Sequence, residues 1–120
     1  MDINGKTILL TGASGGIGRA IAIKLAAAGA KLSITGRNEQ KLLALVAELT
    51  PGTIAVTADI ATAAGRQRLT DTVTEVGIDV VIHNAGGLDF GLFAEQSPDV
   101  LEHLVRLNLL TPALLTQQLL

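Results

Sequence analysis

Short apolar runs alternate along the chain with stretches in which apolar residues recur at helical spacing. Four runs predict buried strands, over residues 6–11, 31–35, 53–57 and 78–82. The fourth run, Ile-Asp-Val-Val-Ile, is apolar enough to predict a strand that is buried on both faces, as central parallel strands are. The segments between these runs are long enough for helices.

Each predicted strand is followed by a stretch with one apolar helix face. The apolar positions are Ile17, Ile21, Leu25 and Ala28; Leu42, Leu45, Val46 and Leu49; Leu69, Val73 and Val76; and Leu101, Leu104 and Leu115. Asn38, Thr62 and Ser97 precede the last three stretches and are residue types that cap helix N-termini. Gly77 is expected to end the third helix, and the fourth is expected to continue to the chain end.

This order of elements predicts the fold class. Strands and helices alternate four times, which indicates an α/β protein with a parallel sheet and helices on both faces. A Rossmann-type doubly wound sheet has its strands in the order 3-2-1-4 and binds its ligand across their C-terminal ends. A flavodoxin-like strand order is the alternative. At 120 residues, we expect a single domain over 1–120.

A glycine-rich turn joins the first strand to the first helix and favours the Rossmann-type order. It consists of Thr11, Gly12, Ala13, Ser14, Gly15, Gly16, Ile17 and Gly18. Its spacing, G-x-x-x-G-x-G, differs from the more common dinucleotide fingerprint G-x-G-x-x-G. Side chains at Gly12, Gly16 and Gly18 are expected to block the approach of a phosphate, and the free N–H groups at the helix start favour negative charge.

Composition narrows the classes of function. The formal net charge is −2 and no run of Lys or Arg occurs, which argues against a nucleic-acid partner. There is no cysteine, and the two histidines, His83 and His103, lack the spacing of a metal site. We assign neither a function and interpret His103 as a surface residue. Neither a signal peptide nor an apolar run of membrane-spanning length occurs, so we expect a cytoplasmic location and no membrane partner.

Four motifs at their mutual distances resemble those of the short-chain dehydrogenase/reductase family. They are the turn over 11–18, Asp59-Ile60, His83-Asn84-Ala85-Gly86 and Asn108. The resemblance extends from the first strand to the fourth helix. One departure is His83, which stands where the family usually has Asn.

The resemblance implies a role for each matched position. The turn over 11–18 would hold the pyrophosphate of a nicotinamide dinucleotide. Asp59 would accept a hydrogen bond from the adenine amino group, with the backbone of Ile60 beside it. Asn84, Ala85 and Gly86 would stabilise the central sheet and pass close to the adenosine ribose.

Asn108 matches the catalytic asparagine of the family, whose backbone carbonyl holds a water in a proton relay. Pro112 lies four residues later and lacks the N–H that would bond the Asn108 carbonyl. The local sequence therefore predicts a kink and a free carbonyl at this position by a separate route.

Arg37 and Asn38 follow the second strand, where a carboxylate would bind the ribose 2′-OH of NAD. The guanidinium of Arg37 can instead bind a 2′-phosphate through two parallel hydrogen bonds, and no acidic residue follows the strand until Glu39. The sequence therefore favours NADP(H), with NAD(H) as the alternative.

The family's active site also requires a serine on the fifth strand and a Tyr-x-x-x-Lys on the fifth helix. The chain does not extend to these positions and contains no tyrosine. We therefore expect the cofactor-binding portion, incomplete at its C-terminus, of an oxidoreductase that acts on an alcohol or ketone, inactive by itself. The alternatives are a stand-alone dinucleotide-binding domain and an assembly module. The leucine-rich last helix and the free edge of the fourth strand predict a homo-oligomer.

Overall fold

Four short strands, each followed by an α-helix, and a fifth α-helix make up residues 1–120 in a computed structural model of the protein. The strands are β1 (Thr7–Leu10), β2 (Lys31–Gly36), β3 (Ile54–Thr57) and β4 (Val80–Ile82). The α-helices are α1 (Gly16–Ala27), α2 (Glu39–Val46), α3 (Ala63–Val73), α4 (Pro98–Val105) and α5 (Thr111–Leu119). A 3₁₀ turn (Phe93–Glu95) precedes α4, and a π-helical segment (Arg106–Leu110) joins α4 to α5.

The strands form one parallel sheet in the order β3-β2-β1-β4. In the register of the sheet, Leu9 of β1 lies between Ser33 of β2 and Val81 of β4. This order confirms the predicted Rossmann-type arrangement and excludes the flavodoxin-like one. The C-terminal ends of all four strands therefore meet at one edge of the sheet.

Apolar side chains cover both faces of the sheet. On one face, Ile8, Leu10, Leu32 and Ile34 pack with Ala22, Leu42 and Leu45 of α1 and α2. On the other face, Leu9 and Val56 pack with Leu69, Val73 and Leu115 of α3 and α5. Each large side chain buried in this way stabilises the fold by about 1.5–3 kcal/mol, before the entropy of ordering it is subtracted.

The prediction that the fourth strand is buried on both faces is wrong. β4 lies at the edge of the sheet, pairs only with β1, and its three side chains are half-buried. The reason is positional: no strand covers its outer side, so its apolar sequence does not produce full burial.

The helix starts agree with prediction better than the helix ends. Asn38, Thr62 and Ser97 each accept a hydrogen bond from the backbone N–H three residues later, at 3.0, 3.0 and 3.1 Å. At the other end, α2 and α3 stop three residues before the predicted Leu49 and Val76. Turns follow both helices, so the apolar spacing continues beyond the helical backbone. None of the helices is both long enough and apolar enough to cross a membrane.

Candidate functional site

A cleft of about 360 Å³ opens at the C-terminal edge of the sheet. The predicted site residues that line it are Gly12, Ser14, Gly15, Gly16, Ile17, Gly18, Arg37, Asp59, Ile60, Asn84, Ala85 and Gly86. Residues that the sequence analysis did not include also line it, namely Thr35, Gly36, Ala58, His103 and Leu107. The turn after β1, the ends of β2, β3 and β4, and one face of α4 thus enclose a common space.

Three predicted cofactor residues do not form the wall of this cleft. Thr11 and Ala13 are buried, and Ala13 belongs to the core beneath α1 and α2. Asn38 caps α2, where its Oδ1 accepts the N–H of Lys41 at 3.0 Å. Thr11 and Ala13 therefore lie beneath the cleft, because this part of the turn packs into the core before α1 begins.

Gly12 and Gly18 are required by contacts inside the protein. Gly12 has a φ of +66°, and a Cβ at this position would lie 2.8 Å from the Ala85 backbone. A Cβ on Gly18 would overlap the carbonyl oxygen of Gly12. Of the three glycines assigned to phosphate approach, only Gly16 faces open space. Gly12 and Gly18 therefore let the turn pack against the end of β4, and that they also let a phosphate approach stays a prediction.

α1 begins at the cleft without a side-chain cap. Its N-cap, Gly15, supplies no side-chain hydrogen bond, and the first turn contains no acidic residue. Ile17 is 72% exposed and lines the cleft, so it does not belong to the apolar stripe predicted for this helix. The first N–H groups of α1 and the positive end of its dipole therefore face the cleft.

The hydroxyl of Thr11 connects β1 to the end of β4. Its Oγ1 accepts the backbone N–H groups of Asn84, at 3.1 Å, and Ala85, at 3.0 Å. In return, Nδ2 of Asn84 donates to the Gly12 carbonyl at 3.1 Å. These three hydrogen bonds fix the turn after β1 against the turn after β4, which gives the cleft a rigid floor.

Two charged side chains reach the cleft from the ends of β2 and β3. Arg37 is exposed and makes neither an ion pair nor a side-chain hydrogen bond; the only salt bridge of the structure joins Arg19 to Glu48 at 2.6 Å. Asp59 uses Oδ1 to accept the N–H of Ala61 at 3.1 Å, and its Oδ2 has no partner. Both side chains therefore retain hydrogen-bonding capacity toward a ligand.

The side chain of Asn108 holds the loop after β4. Its Oδ1 accepts the N–H of Gly87 at 3.0 Å, while its Nδ2 donates to the carbonyls of Gly87 and Leu104 at 2.7 and 2.9 Å. A Cβ on Gly86 would lie 2.8 Å from Asn108 Oδ1. The amide is thus fully engaged within the protein, so any contribution of Asn108 to proton transfer would have to come from its backbone.

The predicted irregularity at Asn108 takes the form of the π-helical segment Arg106–Leu110. The N–H of Thr111 donates to the carbonyl of Arg106, five residues earlier. Continuing this register would pair Pro112 with Leu107, and α-helical register would pair it with Asn108. Pro112 can donate to neither, because it has no N–H. π-Helical turns are often found at functional sites. That the Asn108 carbonyl holds a water stays a prediction.

The two histidines have different positions. His83 does not line the cleft; its Nε2 lies 2.8 Å from Oγ1 of Thr116 in α5, and partial burial lowers its pKa because it disfavours the charged ring. His103 is exposed, as expected of a surface residue, and it also lines the cleft together with Leu107, which the sequence analysis did not predict. The four-residue spacing of these two side chains, just before Asn108, is the sequence signal that identifies this helix face.

The parallel sheet and the cleft at its C-terminal edge define a Rossmann-type α/β protein. A sequence model described as "short chain dehydrogenase" matches residues 6–120. The chain belongs to the short-chain dehydrogenase/reductase family, whose known members include oxidoreductases.

Individual relatives agree with this membership. The short chain dehydrogenase/reductase dpmpG of Macrophomina phaseolina is 36% identical over 119 residues, which cover 92% of this chain and 67% of that protein. A short-chain dehydrogenase/reductase structure from Brucella melitensis, described as glucose/ribitol dehydrogenase, has 31% identity and a TM-score of 0.92 over 99% of this chain and 52% of that one.

L-Sorbose reductase from Gluconobacter frateurii, solved with NADPH and L-sorbose, has 28% identity and a TM-score of 0.91. The alignment covers 99% of this chain and 48% of that structure. The chain thus spans about half the length of the two solved structures and two thirds of the fungal relative.

Proposed function

We propose that the chain is the NADP(H)-binding portion of a short-chain oxidoreductase that acts on an alcohol or ketone. One observation carries the proposal: a single cleft combines the uncapped N-terminus of α1 with the free side chains of Arg37 and Asp59 and the backbone at 84–86. NADP(H) requires this combination: N–H groups that bind the pyrophosphate, a surface for the base and ribose, and a cation for the 2′-phosphate.

The start of α1 fits the pyrophosphate. Gly16 faces open space, so a phosphate could approach its backbone, and no acidic side chain repels an anion in the first helical turn. The free N–H groups of this turn would donate to the phosphate oxygens, and the helix dipole would favour their charge. The residues present therefore fit this part of the ligand.

The adenosine would lie between the ends of β3 and β4. Asp59 has a free carboxylate oxygen with which to accept the adenine amino group, and Ile60 would contact the base beside it. Ala85 and Gly86 form the other side of the cleft floor, next to the ribose position. Gly86 keeps this surface flat because a side chain there would collide with Asn108.

Arg37 favours NADP(H) over NAD(H). Its guanidinium lines the cleft, has no partner within the protein, and could bind a 2′-phosphate through two hydrogen bonds. The NADPH bound by the similar L-sorbose reductase supports this choice.

The nicotinamide, when bound, supplies or accepts a hydride. The residues of this chain would bind and orient the cofactor, and the backbone at Asn108 would hold a water for proton transfer. The chain contains no tyrosine, so the phenol that serves as the proton donor in the family would have to come from a sequence outside these 120 residues. A stand-alone dinucleotide-binding module is the alternative function, because the cleft itself requires no catalytic group.

Calorimetric titration with NADPH, NADH and an unrelated nucleotide tests the proposal. We expect heat from NADPH that exceeds the other two, and Arg37→Ala should reduce NADPH affinity about tenfold or more while changing NADH affinity little. Arg68→Ala, on the exposed side of α3, removes the same charge outside the cleft and should have no effect. Equally small heats for all three nucleotides would contradict the dinucleotide function, and equal losses for NADPH and NADH would exclude a 2′-phosphate contact by Arg37.

A further inference from the structure

One face of α4 forms part of the cleft wall. His103 of α4 and Leu107 of the π-helical segment that continues it both line the cleft, and their four-residue spacing puts them on the same side of this helical stretch, about one turn apart. The imidazole of His103 makes no hydrogen bond or ion pair within the protein. An aromatic ring is therefore presented to the cleft with no structural partner to hold it.

The sheet topology locates this ring relative to the base. α3, α4 and α5 follow β3 and β4, and α3 and α5 pack on the same face of the sheet. A ligand above the strand ends on this face would have Ala58, Asp59 and Ile60 on its β3 side. On its β4 side it would have the wall formed by His103 and Leu107, called here the α4 wall. This is the part of the cleft to which the proposed function assigns the adenosine.

We propose that His103 stacks its imidazole against the adenine ring of the bound dinucleotide. The inference rests on the proposed function, in which Asp59 takes the amino edge of the base. With that edge engaged, the two faces of the ring remain to be covered. Ile60 and Leu107 offer apolar surface for this, and the imidazole extends the Leu107 wall by one helical turn. Flat aromatic side chains bind bases in this way through their faces, without reading the hydrogen-bonding edge.

The test uses two ligands and three variants of His103. The ligands are NADPH and 2′,5′-ADP, which contains only the adenosine end of the cofactor. In the variants, Phe keeps a ring that can stack, Gln keeps hydrogen-bonding groups without a ring, and Ala keeps neither. Glu102→Ala is the matched control, because it alters the neighbouring exposed residue of α4, which does not line the cleft. Unchanged thermal midpoints establish that the variants fold.

We expect His103→Ala and His103→Gln to weaken both ligands about five- to tenfold, toward the low end of the loss produced by removing a base-stacking side chain. His103→Phe and Glu102→Ala should stay within about twofold of the wild type. The inference is overturned if His103→Gln binds as the wild type does while His103→Phe does not, since the contact would then be a hydrogen bond. It is also overturned if His103→Ala leaves 2′,5′-ADP affinity unchanged. Failure of the wild-type chain to bind either ligand would instead refute the proposed function, and with it the stacking role.

Discussion

Thr11→Val removes the hydroxyl that joins the two turns at the floor of the cleft, with almost no change in side-chain volume. Thr11 is 1% exposed, and its Oγ1 accepts two backbone N–H groups, from Asn84 and Ala85. Valine cannot accept either hydrogen bond. Both donors are held against the turn after β1, so the substitution leaves two N–H groups facing a methyl group.

The expected loss follows from these two donors. A buried N–H left without an acceptor costs about 1–3 kcal/mol. Asn84 and Ala85 are only half-buried, so water can partly replace the lost acceptor, and the lower end of the range applies. Two donors then give a loss of about 2 kcal/mol in the free energy of unfolding. In a domain of this size, that corresponds to a decrease in Tm of about 6–10 °C.

Urea unfolding of the wild type and Thr11→Val, followed by far-UV circular dichroism, measures this loss. Thr35→Val is the matched control: Thr35 is also 1% exposed, but its Oγ1 donates to the Val56 carbonyl at 2.7 Å. Its removal takes one donor from a carbonyl that has two lone pairs, so we expect a smaller loss of about 1 kcal/mol. If Thr11→Val is no less stable than Thr35→Val, the hydroxyl does not hold the two turns together.

Three further outcomes are expected. The lowered pKa of His83 means that the unfolded chain binds a proton more readily than the folded protein, so stability should fall as the pH drops below about 6.5. His83→Gln should lose less stability than the wild type between pH 7.5 and 5.5, and equal decreases in thermal midpoint for the two proteins would contradict this. We expect light scattering to show a dimer or larger species, because the edge of β4 is free and Val105, Leu109 and Leu110 are exposed. A monomer at high protein concentration would argue against an association surface there. The chain alone should not oxidise NADPH at an enzymatic rate with a panel of ketones and aldehydes, because general acid–base catalysis contributes about 10²–10⁴-fold and no tyrosine is present. Turnover that survives His83→Ala would reveal a proton donor that we have not identified.

The elements that the sequence predicts correctly are those that local chemistry determines. Alternation of apolar runs and helical stripes is enough to order the strands, because right-handed crossovers leave few topologies for four βα units. The caps at Asn38, Thr62 and Ser97 are local as well, since each side chain bonds an N–H only three residues away. Most of the cleft wall follows from the same reasoning, because side chains just after parallel strands share one edge of the sheet.

The features that the sequence analysis predicted wrongly or did not predict depend on contacts between distant parts of the chain. The burial of β4 depends on what covers its outer edge, and the sequence of the strand itself does not specify that. Gly12 also has a packing reason that the glycine spacing does not reveal, because a Cβ there would clash with the backbone of Ala85, 73 positions away. His103 is exposed, as a histidine on a charged helix is expected to be, but its place in the cleft wall cannot be predicted until the direction of α4 is known.

These distant contacts have a common feature: each passes through the end of β4. The turn there donates hydrogen bonds to Thr11 and Gly12 and packs closely against Gly18 on one side, and it donates to the side chain of Asn108 on the other. The three half-buried side chains of β4 pack against the cores on both faces of the sheet, and its end links the turn after β1 to the helix that carries His103. A change at Thr11 should consequently weaken adenosine binding as well as stability, because the α4 wall is positioned through the same turn. Measuring 2′,5′-ADP affinity in Thr11→Val tests this link, and an unchanged affinity in a destabilised protein would mean that the two walls of the cleft are held independently.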